Sequence, residues 1–253
     1  MRRLSLILPI LLLGGCGEAE PQPQPRTPLA EVAPESACRE RSFEGARFTV
    51  CKLDLASDRL ELIAGQRSFA DLQRSLGSRT SQLRFAMNAG MFDEAGAPIG
   101  LFVRNGQEEK GLNRREGAGN FHLMPNGVFA VDQEGRASVT PSTAFRKKVP
   151  LPEWATQSGP MLVIDGKLHP KFDENGESQL IRNGVGVPAP GTAFFAISED
   201  PVSFGRFARF FRDALGCPNA LYLDGSVSSL WDPAGSRMDP HPELGPIVAV
   251  FRR

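Results

Sequence analysis

The chain has 253 residues and a formal net charge of zero, since 29 basic side chains balance 29 acidic ones. No cluster of lysine and arginine stands out, and a protein that binds nucleic acid would normally carry such a basic footprint. The composition therefore argues against a nucleic-acid partner. The length favours one good-sized domain and is short for two.

The first residues have the pattern of a targeting segment. Arg2 and Arg3 precede an apolar run from Leu4 to Leu13, which is too short to span a membrane as a stable helix. The run ends in Leu13-Gly14-Gly15-Cys16, which resembles the lipobox of bacterial lipoproteins, where cleavage leaves the cysteine as the lipidated first residue. The alternative is an ordinary secretory signal with an incidental cysteine.

This pattern predicts a signal peptide over residues 1–15, and a lipidated Cys16 with a proline-rich linker over residues 16–36. Gly17 follows the cysteine, in place of the aspartate associated with inner-membrane retention. We therefore expect a periplasmic protein that is lipid-anchored to the outer membrane through Cys16. Residues 37–253 are expected to form one globular domain.

Three further cysteines lie in the globular part. Cys38 and Cys51 flank a predicted hairpin at Phe43–Phe48, and a disulfide can close that pair in an oxidising periplasm. Cys217 follows a predicted helix and is an alternative partner for either of them. The sequence does not decide among these pairings.

Short strand patterns account for most of the globular part. Pro125-Asn126-Gly127 predicts a hairpin between strands at Asn120–Met124 and Val128–Val131. The other predicted strands lie at Phe48–Leu55, Leu60–Leu62, Leu83–Met87, Ile99–Val103, Ala137–Thr140, Met161–Ile164, Val185–Val187, Ala193–Ile197, Ala220–Leu223 and Pro246–Phe251.

Two helices stand out among these strands. Ser68-Phe69-Ala70-Asp71 resembles a capping box at the start of the first, which is expected to end at Gly77. The second is predicted over Ser203–Leu215, with an aromatic stripe of period near 3.6 that indicates core packing. The predicted fold class is therefore α+β: a single domain with a mixed β-sheet, many hairpins and a few packed helices.

Four polar segments that contain glycine interrupt the strands. Each places an amide, a guanidinium or a carboxylate beside a glycine, which lets the backbone approach closely. Together they offer an anion binder, a carboxylate and several hydrogen-bond donors, which is what a small-molecule site needs. The segments are Phe85–Phe92, Gly119–His122, Gln157–Gly186 and Leu221–Ser229.

Three of these segments resemble the motifs of the phosphodiester glycosidase family. Asn88-Ala89-Gly90-Met91-Phe92 is similar to the family's Asn-Gly-Gly-x-Phe, and Arg182-Asn183-Gly184-Val185-Gly186 to its Arg-x-x-x-Gly. Asp224-Gly225-Ser226-Val227-Ser228-Ser229 is similar to its Asp-Gly-Gly-x-Ser-Ser. The resemblance spans roughly Phe43 to Phe251, and the chain departs from the motifs at Ala89 and Ser226, which replace glycines.

The resemblance implies cleavage of a sugar-1-phosphodiester on the sugar side. The leaving phosphate monoester has a second pKa of about 6, so it departs with little proton assistance, and one carboxylate can suffice. Ordinary glycosidases need a pair of carboxyl groups. The expected catalytic residues are Asp224 as base or nucleophile, Arg182 as a phosphate clamp, and Asn88. The expected substrate-binding residues are Gly90, His122, Asn183, Gly225, Ser228 and Ser229.

The expected partner is a carbohydrate phosphodiester or a related envelope glycan. No cofactor is expected, although a divalent cation held by Asp224 stays open because carboxylates are typical ligands of such ions. Two other functions compete with hydrolysis. One is an envelope lipoprotein that binds a glycan or phosphoglycan without catalysis, and the other is a structural lipoprotein in which these segments are only turns.

Overall fold

The fold is known from a computed structural model, which describes residues 35–240 and 243–253. The predicted signal peptide, Cys16 and nearly all of the linker lie outside these residues. The strands are β1 (Cys38–Phe43), β2 (Ala46–Asp54), β3 (Asp58–Ile63), β4 (Leu83–Asn88), β5 (Phe102–Arg104), β6 (Gln107–Lys110), β7 (Gly127–Asp132), β8 (Ala137–Pro141), β9 (Pro152–Ser158), β10 (Met161–Ile164), β11 (Lys167–Leu168), β12 (Asn183–Ala189), β13 (Thr192–Ser198), β14 (Asn219–Tyr222), β15 (Leu230–Asp232), β16 (Arg237–Met238) and β17 (Ile247–Arg252).

The helices are short and lie between runs of strands. They are α1 (Phe69–Leu76), α2 (Phe145–Lys148) and α3 (Phe204–Arg209), and a π-helical turn at Phe210–Ala214 extends α3. Shorter 3-10 turns cover Gly77–Gln82, Asn120–His122 and Gly225–Val227. Within the described ranges, no helix is both long enough and apolar enough to cross a membrane.

The strands form three sheets. The first has the order β1-β2-β13-β12-β14-β10-β11, the second β16-β15-β4-β17-β3, and the third β6-β5-β9-β7-β8. The α+β prediction is broadly consistent with this fold, but the predicted mixed sheet is wrong, because every strand pairing in the described residues is antiparallel. A parallel pair needs a long crossover connection, usually a helix, whereas hairpins join many of these strands.

The three sheets share one apolar core. Phe195 and Leu221 come from the first sheet, Phe85 and Val250 from the second, and Phe129 from the third, and all five are buried in the same cluster. Strand alternation sends neighbouring residues to the opposite faces. The outer face of each sheet is covered in turn by one helix.

The outer faces form three smaller clusters. Helix α3 and its π-helical turn cover the first sheet, α1 covers the second and α2 covers the third. The predicted caps are confirmed: Ser68 accepts a hydrogen bond from the Asp71 amide, and Ser203 accepts one from the Arg206 amide. The aromatic stripe of α3 packs into the core, as its period predicts.

The first predicted hairpin is present, and the second is wrong. Strands β1 and β2 pair with Cys38 opposite Cys51, which form a disulfide, while Cys217 is free and buried. Asn120–His122 is a 3-10 turn instead of a strand, and β7 pairs with β8 and β9. The Asn126 amide donates to the main-chain oxygen of Phe121 at 3.1 Å, so this side chain holds the turn in place of a strand ladder.

Candidate active site

Asp224 lies where β14 gives way to the 3-10 turn at Gly225–Val227. Its amide donates to the main-chain oxygen of Ala89 at 3.2 Å, and its Oδ1 accepts from the Ser226 amide at 3.2 Å. The residue is half-buried. The turn therefore fixes both the backbone and the carboxylate of Asp224 while leaving the residue partly accessible.

Asn88, the last residue of β4, binds the Asp224 loop through its side-chain amide. Its Nδ2 donates to the main-chain oxygen of Asp224 at 2.7 Å, and its Oδ1 accepts from the Ser229 amide at 2.9 Å. The residue is 1% exposed. Because both ends of the side-chain amide bind the loop, the geometry gives Asn88 a positioning task.

Asn183 and the two serines extend this network. Asn183 Nδ2 donates to Asn88 Oδ1 at 2.9 Å and to its main-chain oxygen at 3.0 Å, and Asn183 Oδ1 accepts from Ser228 Oγ at 3.3 Å. Ser229 Oγ donates to the main-chain oxygen of Val227 at 2.8 Å. Asn183 and Ser229 are buried and Ser228 is half-buried, so Ser228 is the member of this group closest to solvent.

Two predicted glycines are explained by close packing. A Cβ at Gly90 would lie 2.3 Å from the main-chain oxygen of Gln157, so glycine lets the first motif segment press against β9. A Cβ at Gly225 would lie 1.7 Å from Tyr222 Oη. Any side chain at Gly225 would therefore displace the Tyr222 ring.

The register of β12 and β14 brings Arg182 to the Asp224 loop. Gly184 pairs with Tyr222, and the Leu223 amide donates to the main-chain oxygen of Asn183 at 3.0 Å, so Arg182 and Asp224 are the residues next to this pairing on each strand. Alternation sends Asn183 into the core-side network and Arg182 to the face covered by α3. Asn183 therefore lies on the core side of the Asp224 loop, and Arg182 lies on the side that faces α3.

Arg182 is fully enclosed, with 0% exposure. Its Nε donates to the Val202 oxygen at 2.8 Å and its Nη2 to the Ser178 oxygen at 2.9 Å, while Cζ lies 3.7 Å from the centre of the Phe204 ring. Burial lowers the pKa of this guanidinium from its ordinary value. Direct contact with a phosphate would require the surrounding rings to move.

Tyr222 is the site residue that the sequence patterns did not single out. Its Oη accepts a long hydrogen bond from Arg182 Nη1 at 3.5 Å, and it lies against Gly225 on the other side. One sequence signal was present, because Tyr222 precedes Asp224 by two positions, and residues spaced by two share a face of a strand.

His122 has a different set of neighbours. Its Nδ1 lies 2.6 Å from the main-chain oxygen of Arg115, and the Phe121 ring packs edge-on against it. Neither contact belongs to the network around Asp224. Within residues 35–240 and 243–253, no group of three or more His, Cys, Asp or Glu side chains is arranged to hold a metal ion.

The first and last motif segments meet in this fold, and the Arg182 segment lies beside them. A sequence model of that family, described as NAGPA: Phosphodiester glycosidase, matches residues 81–239, which is more than half of the chain. The chain therefore belongs to the phosphodiester glycosidase family, and the resemblance predicted from its motifs is confirmed.

One similar protein is the uncharacterised protein YigE of Escherichia coli (strain K12), which is 38% identical over 155 residues, 61% of this chain. The match spans 60% of YigE. The catalytic domain of zebrafish N-acetylglucosamine-1-phosphodiester alpha-N-acetylglucosaminidase, auto-inhibited by its pro-peptide, has a TM-score of 0.59 and 13% identity, over 85% of this chain and 81% of that one. A hypothetical protein from Synechocystis has a TM-score of 0.57 and 15% identity, over 85% and 61%. At these identities the two structures show a shared fold.

Proposed function

We propose that this chain hydrolyses a glycosyl phosphodiester, a sugar-1-phosphate diester or a related envelope glycan, with Asp224 as base or nucleophile. Family membership supports the reaction class. The observation that carries the residue assignment is the hydrogen bond from Asn88 Nδ2 to the main-chain oxygen of Asp224, at 2.7 Å. It joins the first and last motifs at one half-buried aspartate.

The proposed step breaks the bond between the anomeric carbon and the bridging oxygen. The oxygen leaves with the phosphate monoester, whose second pKa of about 6 makes it a good leaving group, and water supplies the new hydroxyl of the sugar. Asp224 either deprotonates that water or attacks the anomeric carbon first. The chemistry needs neither a cofactor nor a second carboxyl group.

Arg182 supplies positive charge from beneath the loop in this proposal. Because its guanidinium is enclosed by Phe204 and Tyr222, its contribution to the developing phosphate charge is electrostatic and acts across Tyr222. We assign substrate contacts to the half-buried Ser228 and to the main chain at Gly225. Asn88, Asn183 and Ser229 position these groups, and Gly90 permits the close packing below them.

We also propose that the domain acts in the periplasm, anchored to the outer membrane by a lipid on Cys16. The sequence around Cys16 supports the anchor, and the Cys38–Cys51 disulfide supports an oxidising compartment. Metabolic labelling with a palmitate probe tests the anchor. Incorporation into the wild-type chain and none into Cys16→Ser is the expected result, and equal labelling of both would contradict it.

The activity is tested by incubating the chain with a panel of sugar-1-phosphodiesters. N-acetylglucosamine is the first sugar to try, since the zebrafish protein of similar fold is named for that substrate. The expected products are free sugar and a phosphate monoester. Release of a sugar-1-phosphate would contradict the proposal, because the bond to the other alcohol would then have been cleaved and the bond to the sugar kept. Calorimetric binding without any product would instead favour a glycan-binding protein.

A further inference from the structure

Arg182 is a buried cation without an acidic partner among the described residues. It is one of the largest fully buried side chains, and no ion pair joins it to a carboxylate in those parts of the chain. Main-chain oxygens and the Phe204 ring surround it instead. Burying a charge without a counter-charge is costly, so such an arrangement points to a use for its positive field.

Tyr222 separates this cation from the Asp224 loop. Its Oη accepts from Arg182 Nη1 at 3.5 Å, and the ring is held edge-on against Phe204 with centroids 4.8 Å apart. On its other side, the phenol fills the space that a Cβ of Gly225 would take. The phenol oxygen is therefore wedged between the guanidinium and the residue that follows Asp224.

We propose that Tyr222 is a positioning residue for the Asp224 carboxylate, and that its neutral phenol couples the buried charge of Arg182 to the Asp224–Gly225 turn. The catalytic part of this inference rests on the proposed hydrolysis. The coupling itself concerns only Arg182, Tyr222 and the turn, so it is open to a test that needs no turnover.

The phenol is suited to this task because it stays protonated. Burial raises the pKa of Tyr222, and the negative charge of Asp224 raises it further, whereas Arg182 and the Gly225 backbone lower it. A phenol has one O–H to donate and two lone pairs that accept. With Arg182 donating to the oxygen, the O–H is left to hold an acceptor of the Asp224 turn or of a bound substrate.

The coupling is measurable because Tyr222 is the one tyrosine of the chain. The ultraviolet absorbance of phenolate therefore titrates this residue alone. Asp224→Asn removes the negative charge that opposes ionisation of the Tyr222 phenol. In this variant the Tyr222 phenolate should therefore form at lower pH than in wild type. Asp165→Asn makes the same change at the exposed Asp165-Gly166 turn and should titrate as wild type does.

Circular dichroism at each pH restricts the comparison to folded protein. A titration in Asp224→Asn that coincides with that of wild type would overturn the coupling. This result does not depend on whether any substrate is turned over, so it stands even if the proposed hydrolysis is wrong.

The positioning role is tested with Tyr222→Phe, which keeps the ring and removes the hydroxyl. On an N-acetylglucosamine-1-phosphodiester, kcat should fall roughly 10- to 100-fold, with KM within about twofold, because a misplaced catalytic group costs turnover more than binding. Thermal unfolding confirms that the variant folds. Suppose that wild type is active and Asp224→Asn is inactive. Full turnover by Tyr222→Phe would then overturn the positioning role of Tyr222 and leave the proposed hydrolysis standing.

Discussion

The side-chain amide of Asn88 donates to the main-chain oxygen of Asp224 at 2.7 Å, which links the end of β4 to the loop after β14. The two residues are far apart in sequence, and the strands β4 and β14 belong to different sheets. The contact fixes the main chain of Asp224, and Asn183 and Ser229 extend it into a buried polar network. The proposed function places the reacting carboxylate on this network.

Asn88→Ala should lower both stability and turnover. It leaves the Asp224 oxygen, the Ser229 amide and Asn183 Nδ2 without this partner. The free energy of unfolding should fall by about 2–4 kcal/mol, since each unmet buried group costs about 1–3 kcal/mol and water meets part of the loss. Urea unfolding measures the change.

Asn219→Ala is the matched control for that variant. Asn219 bonds Asp165 at an exposed turn, so its loss should cost less than about 1 kcal/mol. Equal destabilisation by the two variants would show that the Asn88 network adds nothing beyond an ordinary surface contact.

Gly225→Ala should displace the Tyr222 ring. The added Cβ would lie 1.7 Å from Tyr222 Oη, and overpacking of this kind costs about 1–3 kcal/mol. Turnover should fall with stability, because Asp224 is the adjacent residue. Gly191→Ala, where a Cβ meets nothing within 4 Å, should leave both unchanged. Wild-type stability and activity in Gly225→Ala would refute the packing argument.

Cys217 should be unreactive in the folded protein. Burial raises the pKa of its thiol to about 12, so the reactive thiolate is nearly absent at pH 8. In a Cys16→Ser chain, a thiol reagent should label nothing before unfolding. After unfolding without reductant it should label one thiol, because Cys38 and Cys51 are paired. Rapid labelling of the folded chain would place Cys217 at the surface.

Turnover should survive treatment with a chelator. The proposed step uses Asp224 and a good leaving group, and it assigns no task to a metal ion. We therefore expect equal kcat/KM before and after incubation with EDTA and gel filtration. A loss that calcium or magnesium restores would assign Asp224 to a cation site instead.

The strands and helices that were predicted correctly each carry a local signal, whereas β6, β9, β15, β16 and α2 were not predicted. Ser68 and Ser203 cap helices whose apolar faces follow the helical period, and the Cys38–Cys51 hairpin has a glycine at its turn. The prediction of a hairpin at Asn126 is wrong, although its turn residues are typical of hairpins. A local pattern does not identify the strand that pairs across a sheet, and β7 pairs with β8 and β9.

The candidate site was predictable at the level of motifs but not of contacts. Asn88, Asn183 and the Asp224 loop come together in the structure, which their separate motifs alone did not establish. The enclosure of Arg182 depends on Phe204 from α3 and on the register that sets Gly184 against Tyr222, and neither can be read from residues near Arg182. Tyr222 was missed because a tyrosine in an apolar strand also fits ordinary core packing.

We propose that Asp224 carries the chemistry, and a comparison of Asp224→Asn with Asp165→Asn tests this role. Both variants change an aspartate that precedes glycine, and both keep the turn, since asparagine substitutes well for aspartate in turns. The measurement is kcat/KM for release of free sugar from an N-acetylglucosamine-1-phosphodiester. We expect a loss of at least about 1,000-fold in Asp224→Asn and wild-type turnover in Asp165→Asn. Turnover within twofold of wild type in both variants would contradict it.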